Sequence, residues 1–407
     1  MKHKCCQTSF TLTALAAMGL STVNAANAAS LYSVTDLGNN IYPNSINNLG
    51  QVVGTSEANS DSHAFLYSNG KLQDLGVIKI VDGFSESGAF GINNKGHVVG
   101  YSSTVGIDFH AFLYSNGKLK DLGIPSGNDY SGNFSYAYGI NDADQVVGNL
   151  TAGVHVSRAF IYDQGKWQDL GVFGNGYPYE SSSASGINNA GQVVGGASTI
   201  TGSSHAFLYS KGKLQDLGVL SSPNDNDYSY ANSINNVGQV VGTSSNSSGV
   251  NHAFLYSKGK MQDLGILSKS TSSYDYSFAN SINNLGEVVG TSTITNAYGD
   301  THALLYSNGK LQDLNSLVSS NSGWVLDDAR DINDKGQIVG LGSLNGETSG
   351  FLLTPTSEPT PVPESSSALG VLAFSAIGAG GRLLRKQSRG QLDRTKRAGG
   401  GANFSDI

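Results

Sequence analysis

The sequence predicts an all-β fold: a seven-bladed β-propeller of four-stranded blades whose closing blade is shared by both termini. Three observations carry that expectation. They are a composition of turns and strands, one unit written seven times at a near-constant period, and a strand count that balances only if the two ends complete one blade together. Of 407 residues, 53 are glycine and 14 % are charged, against averages of about 7 % and about 25 %. Glycine at this level supplies many turns. With 38 % hydrophobic and 9 % aromatic residues the chain has too much apolar surface to stay disordered, and it lacks the G-X-Y period of collagen.

The first element, residues 1–28, reads as a secretory signal peptide. Lys2 and Lys4 precede an apolar run from Leu12 to Leu20, and small residues follow at Ala25, Ala26 and Ala28. Both cysteines, Cys5 and Cys6, lie in this segment. Its removal would leave no thiol for a disulfide, a zinc site or nucleophilic chemistry.

The folded part, residues 29–354, is the repeat itself. SINNLGQVVGTS at Ser45 returns six times, and its isoleucines are Ile46, Ile92, Ile140, Ile187, Ile234, Ile282 and Ile332. The steps run from 46 to 50 residues, a period that signals a propeller or a solenoid. A second motif, HAFLYSNGKLQDLG from His63, recurs in the same cadence at His110, Arg158, His205, His252 and His302. Each unit resolves into four short strands. The first ends at Ile-Asn, and Asn-x-Gly turns it into Gln-Val-Val-Gly. A variable link leads to His-Ala-Phe-Leu-Tyr, and Ser-Asn-Gly or Ser-Lys-Gly makes a tight hairpin with positive φ into Lys-Leu-Gln-Asp-Leu-Gly. His63, Phe65 and Tyr67 alternate with Ala64 and Leu66, so both faces of the third strand suit a position between neighbouring sheets.

The count then decides for a ring. The last unit stops at its third strand, Phe351 to Thr354, while Ser33 to Gly38 has the form of a fourth strand with no preceding partners. An open solenoid would want polar caps, whereas a ring needs its ends to complete one blade.

The C-terminal elements are a Pro/Ser-rich spacer (355–367), an apolar segment with a basic stop (368–389) and a polar tail (390–407). As a helix, Ala368 to Gly381 would reach about 21 Å, a marginal span of the hydrocarbon core. Pro363-Glu364, the apolar segment and the cluster at Arg382 and Arg385 resemble a PEP-CTERM sorting tail. That resemblance implies recognition by an exosortase-like processing enzyme and attachment to the membrane through the C-terminal segment. Ser365 stands where the family has a second proline, and 18 residues continue past the basic cluster. The repeats themselves, from Tyr32 to Thr354, resemble the extracellular HAF repeat family, named for His-Ala-Phe. Membership implies export and repeat architecture and carries no assigned activity.

Chemistry is sparser than architecture. The five repeated histidines, with Arg158 and Gly350 read as their equivalents, sit on a strand away from the propeller axis. They read as polar bridges within blades, for instance to Asp74, Asp121, Asp169, Asp216, Asp263 and Asp313. No metal ring, catalytic motif or cofactor site is expected. Non-repeated loop acids available to an enzyme are Asp82, Glu86, Asp129, Glu180, Asp225, Asp227, Asp275 and Asp300. Asp225 and Asp227, in Pro-Asn-Asp-Asn-Asp, are weak candidates for a calcium site without the glycine and glutamate of an EF-hand loop.

The long, non-repeating links fall on one face of the ring, as binding loops do on rigid scaffolds. They carry Tyr130, Tyr138, Tyr177, Tyr179, Tyr228, Tyr230, Tyr274 and Tyr276 among Ser, Gly, Asn and Asp. This is a contact surface of rigid rings with adaptable hydrogen bonds, and it suits sugars. Tyr228, Tyr276 and Phe134 each stand six residues before a motif isoleucine and read equally as packing between blades. Between Ala29 and Gly381 fifteen basic residues face twenty-nine acidic ones, a net charge near −14. Nucleic acid and anionic lipid are poor partners for such a surface. The expectation is an exported envelope or matrix propeller that binds polysaccharide or a surface protein without catalysis. The alternative is a glycan hydrolase or lyase built from loop carboxylates.

Overall fold

A computed structural model describes residues 31–58, 61–78, 85–104, 108–125, 134–151, 156–174, 180–221, 227–268, 275–295 and 300–356. The signal segment and the spacer, apolar segment and tail lie outside the described residues, and with them Pro363, Glu364, Arg382 and Arg385. Among the described residues no helix is long and apolar enough to cross a membrane.

Seven four-stranded antiparallel sheets form the blades of a ring. Blade 1 comprises Ile41–Ile46, Val52–Ala58, Asp61–Ser68 and Lys71–Gly76. Blades 2 to 6 begin at Ser87–Ile92, Ser135–Ile140, Ser182–Ile187, Ser229–Ile234 and Ser277–Ile282. Blade 7 takes Trp324–Ile332, Ile338–Leu344 and Glu347–Pro355 from the end of the repeat and Tyr32–Asn39 from its start. Tyr32 pairs with Pro355 and Asn39 with Ser349, so the orphan segment is the outer strand of the closing blade.

The turns have the geometry their residues dictate. At Asn69-Gly70 both φ values are positive, 52° and 76°, which is the hairpin turn whose twist matches its strands. The core is made between blades. Phe65, Phe112, Phe160, Phe207, Phe254 and Phe351 of the third strands are at most 1 % exposed. Val99 and Ala111 of blade 2, for example, share a cluster with Ala137, Ile140, Val146 and Phe160 of blade 3. Each buried Phe contributes about 2 to 3 kcal/mol of transfer free energy.

Alternation of direction fixes two faces. The links from second to third strand and from blade to blade emerge on one face, here called upper. The Ile-Asn turns, the Asn-Gly and Lys-Gly hairpins and both ends of the described chain, Leu31 and Thr356, lie on the lower face.

Candidate functional site

Every first strand carries a β-bulge at one position. The register shifts between Ala137 and Gly139, between Pro43 and Ser45, between Ala89 and Gly91, and at the matching place in the remaining blades. A bulge re-aims a side chain and bends its strand. The bulged residues, two before the motif isoleucine, are Asn44, Phe90, Tyr138, Ser185, Asn232, Asn280 and Arg330, and all seven line the central channel. The bend presses the first strand onto the second, where the Val-Val-Gly glycine sits. A Cβ on Gly148 would lie 1.8 Å from the Tyr136 carbonyl oxygen, and the same approach recurs at Gly54, Gly100, Gly195, Gly242, Gly290 and Gly340.

The channel encloses about 210 Å³ at this level, and its walls are unlike. On one side Phe90 and Tyr138 stand 5.2 Å apart between ring centres, with Gly91, Gly139 and Gly186 beside them. Phe90 also stacks on Tyr101 at 5.5 Å, Tyr101 meets Tyr136 at 5.5 Å, and Phe109 and Phe134 continue the band outward. Burial, with Tyr230 and Tyr136 nearby, pushes the Tyr138 hydroxyl up to about 12. Burial and a 2.8 Å hydrogen bond donated to Glu86 raise Tyr101 as well.

The opposite wall is polar. Arg330 donates to Asn44 Oδ1 at 2.9 Å and to Asp328 at 3.2 Å. Asn280 donates to Asp328 and to the Ala329 carbonyl, and Asn232 to the Ala279 carbonyl. These bonds fix the amides by their N–H groups. Asp331 accepts from Ser45 and the Ile46 N–H on one oxygen and from Ser281 and the Ile332 N–H on the other, at 2.6 to 2.9 Å. Withdrawal from water outweighs those bonds and raises its pKa.

Below this level the Ile-Asn-Asn motifs make the floor. Asn47 donates its side-chain N–H to the Asn93 carbonyl of the next blade, and the relation repeats through Asn141, Asn188, Asn235, Asn283 and Asn333 back to the Asn47 carbonyl. A second closed ring runs from the backbone N–H of Asn48 to Asn94 Oδ1 and so on through Asp142 and Asp334 back to Asn48 Oδ1. The invariance of Ile-Asn-Asn or Ile-Asn-Asp within the chain is thus a matter of ring closure.

The repeated histidines pair with the aspartates expected of them: Nδ1 of His63, His110, His205, His252 and His302 lies 2.7 to 3.0 Å from Asp74, Asp121, Asp216, Asp263 and Asp313. Arg158 approaches Asp169 at 3.9 Å. One equivalence needs correction. Gly350 pairs with Gly38 as Ala64 does with Gly76, so Ser349 holds the histidine position in blade 7, and it donates to Asp36 at 2.6 Å. The aspartate's other role is local: Asp216 Oδ1 accepts the Gly218 N–H at 2.7 Å. Among the described residues no group of three metal-ligating side chains is found.

Of the expected contact tyrosines, Tyr138 reaches the channel, and Tyr230 packs against Gly196 with its hydroxyl 2.9 Å from Ser185. Tyr228 remains 38 % exposed on the upper face, and Tyr276 packs on Phe278 at 5.1 Å. Phe134 stacks on Phe109 of the preceding blade, the inter-blade packing its position implied. Tyr130, Tyr177, Tyr179 and Tyr274 lie outside the described residues, as do Asp82, Asp129 and Asp225. Asp227 and Asp275 are buried, at 5 % and 3 % exposure. Asp300 accepts from Thr295 at 2.8 Å. Asn44, Phe90, Asn232, Asn280, Arg330 and Asp331 were not anticipated. Their only mark in the sequence is variation, Asn, Phe, Tyr, Ser, Asn, Asn and Arg, at a place where the flanking residues hardly change.

No protein-family model matches the chain, and no curated protein matches it. Solved structures share its fold at low identity. One of two prolyl endopeptidases analysed for inter-domain dynamics in catalysis and specificity matches at 9 % identity and a TM-score of 0.50, over 81 % of this chain and 51 % of that one. The β-propeller domain of the Trilobed protease from Pyrococcus furiosus matches at 9 % identity and 0.44, over 68 % of this chain and 81 % of that domain. An oligogalacturonate lyase in complex with manganese matches at 10 % and 0.43, over 81 % and 94 %. The chain spans about half the length of the endopeptidase, and that likeness shows the propeller fold alone.

Proposed function

We propose that the protein is an exported binding propeller of the cell envelope or matrix, of the HAF repeat type with a PEP-CTERM tail, which takes a sugar unit of a polysaccharide, or of a glycosylated surface protein, at the upper mouth of its channel. The observation that carries this reading is the unlikeness of the channel walls. Phe90 and Tyr138 offer apolar ring faces, while Asn232, Asn280 and Arg330 offer hydrogen-bonding groups opposite and Asn44 one beside Phe90. A pyranose has the matching character, one C–H face and a rim of hydroxyls, and pockets gain specificity from a few placed polar groups beside apolar ones. The signal-peptide pattern and the tail motif support export, envelope attachment and handling by an exosortase-like enzyme.

A second reading, a glycan-cleaving propeller, is favoured by Asp331, a channel carboxyl with a raised pKa of the kind a general acid needs. One experiment tests both. The full-length protein is screened on a glycan array, affinities are measured for the hits, and the solutions are assayed for cleavage products. Binding without turnover is expected, and the double substitution Phe90→Ala with Tyr138→Ala should weaken it at least about ten-fold. Turnover abolished by Asp331→Asn would replace the first reading with the second, and the absence of any array signal would leave an architectural role.

A further inference from the structure

The net charge of the folded region conceals its distribution. Among the described residues there are thirteen lysines and arginines, and ten of them belong to the lower face. Eight stand at the hairpins between third and fourth strands, namely Lys71, Lys118, Lys166, Lys211, Lys213, Lys258, Lys260 and Lys310, and two, Lys95 and Lys335, at the Ile-Asn turns. All ten are exposed, and Lys95, bound to Asp144 at 3.1 Å, is the one among them in an ion pair. Of the twenty-four described acids only Asp142, Asp144, Asp163, Glu287 and Asp334 share that face. Each accepts hydrogen bonds from its neighbours. The upper face and the blades hold the rest. The molecule is therefore a strongly polarised disc: acidic above, with a rim of lysines below.

The same face carries five of the eight large apolar side chains exposed among the described residues, with Ile200, Tyr228 and Val325 standing above. Leu49, Val237 and Leu285, at 64 %, 70 % and 64 % exposure, stand at the tips of the Ile-Asn turns around the channel, the position Lys95 and Lys335 hold in their blades, and inside the eight hairpin lysines, with Leu31 and Leu72 further out. Here, too, the described chain ends. After Pro355 the sequence continues through the proline-rich spacer to the apolar segment and its arginines. Apolar tips inside a cationic rim match one surface, a bilayer that contains anionic lipid: each lysine near such a surface contributes about 1 kcal/mol, and short apolar side chains enter the headgroup region.

We infer that the lower face rests on an anionic lipid surface, with the lysine rim over the headgroups, Leu49, Val237 and Leu285 inserted, and the loop-bearing face turned away. The low affinity for anionic lipid expected from average charge applies to the upper face only. This orientation does not depend on what the channel binds.

The test uses the full-length chain with Cys5 and Cys6 replaced by serine and a polarity-sensitive dye on Val237→Cys below or Ile200→Cys above. Vesicles are phosphatidylcholine alone or with 30 % phosphatidylglycerol, an amount of about one lipid in three chosen to approach a physiological anionic surface. The dye at position 237 should shift to the blue with the mixed vesicles, whereas the dye at 200 should not. Lys71→Glu, Lys213→Glu and Lys260→Glu together should abolish the shift and weaken the lysine-dependent binding about a hundred-fold. The corresponding Lys→Arg triple should behave as the parent, which separates charge from misfolding. Vesicle binding with no response at 237, or one indifferent to the charge reversal, would leave contact by the tail alone and overturn the proposal. So would a shift produced by soluble polyuronate but not by vesicles, or by self-association without lipid.

Discussion

Asp216 holds two donors at once, the Gly218 N–H at 2.7 Å and His205 Nδ1 at 2.9 Å. Burial works to raise its pKa, but those two bonds prevail and hold it below the ordinary value, and the same balance governs Asp121 and Asp263. A carboxyl whose pKa is lower in the folded than in the unfolded chain stabilises the fold above the unfolded value, about 3.9, and loses that contribution as pH falls through the folded one. Unfolding free energy should therefore hold steady in these groups above about pH 5 and decline below about pH 4. Because the pairs are partly exposed, each adds no more than about 1 kcal/mol. The double variant Asp216→Asn, Asp263→Asn, unfolded in urea at pH 7 and pH 3, should lie closer to the parent at pH 3. An equal gap at both values would contradict this account. The His-Asp pairing was legible in the sequence because both residues recur at one spacing, eleven apart. The channel acid Asp331 was not, since it recurs nowhere.

At the scale of the element, the bulge explains what the pattern could and could not disclose. Counting back from Ile140 with a period of two puts Tyr138 on the same side as the isoleucine, packed between blades. The extra residue between Ala137 and Gly139 changes that parity and brings Tyr138 to the channel. Strand count, order and hairpins follow from periodicity and turn residues, whereas a bulge leaves no period of its own. Its requirement is written one strand away, in the glycine after Val-Val. Gly195→Ala would place a Cβ 1.9 Å from the Ser183 carbonyl oxygen. Neither backbone can yield without breaking the ladder, so a loss of about 3 kcal/mol or more is expected in denaturant unfolding. Gly212→Ala, at a hairpin with open space around it, has no such contact and suffers only the strain of φ +77°. A ranking of these two variants in the reverse order would refute the close-approach argument.

For the whole molecule the closing strand is the critical joint. Tyr32 and Val34 pack with Phe351, Leu353 and Leu326 in the cluster that joins blades 6 and 7. Deleting residues 31–39 would strip the outer edge of blade 7 and open that core. A melting temperature lowered by ten degrees or more is expected, on the order of the several kcal/mol that burial of two large side chains and a strand ladder supplies. Unchanged melting would mean that the ring does not need its N-terminal strand. That joint was legible from a count of motifs, because closure is a property of the total and not of any one segment. The polarity of the two faces was hidden for the same reason in reverse, since a net charge is a total that discards position. The floor of the channel adds a consequence of its symmetry. Seven side-chain amides each donate to the next blade around a closed loop, so the components of their dipoles across the axis cancel. The floor, lined by fourteen asparagine and aspartate side chains, therefore sets no direction across the axis, apart from the formal charges of Asp142 and Asp334. Whatever enters from above meets a field set mainly by Arg330 and the acids beside it, a single off-axis feature that gives an otherwise seven-fold well one direction in which a guest can lie.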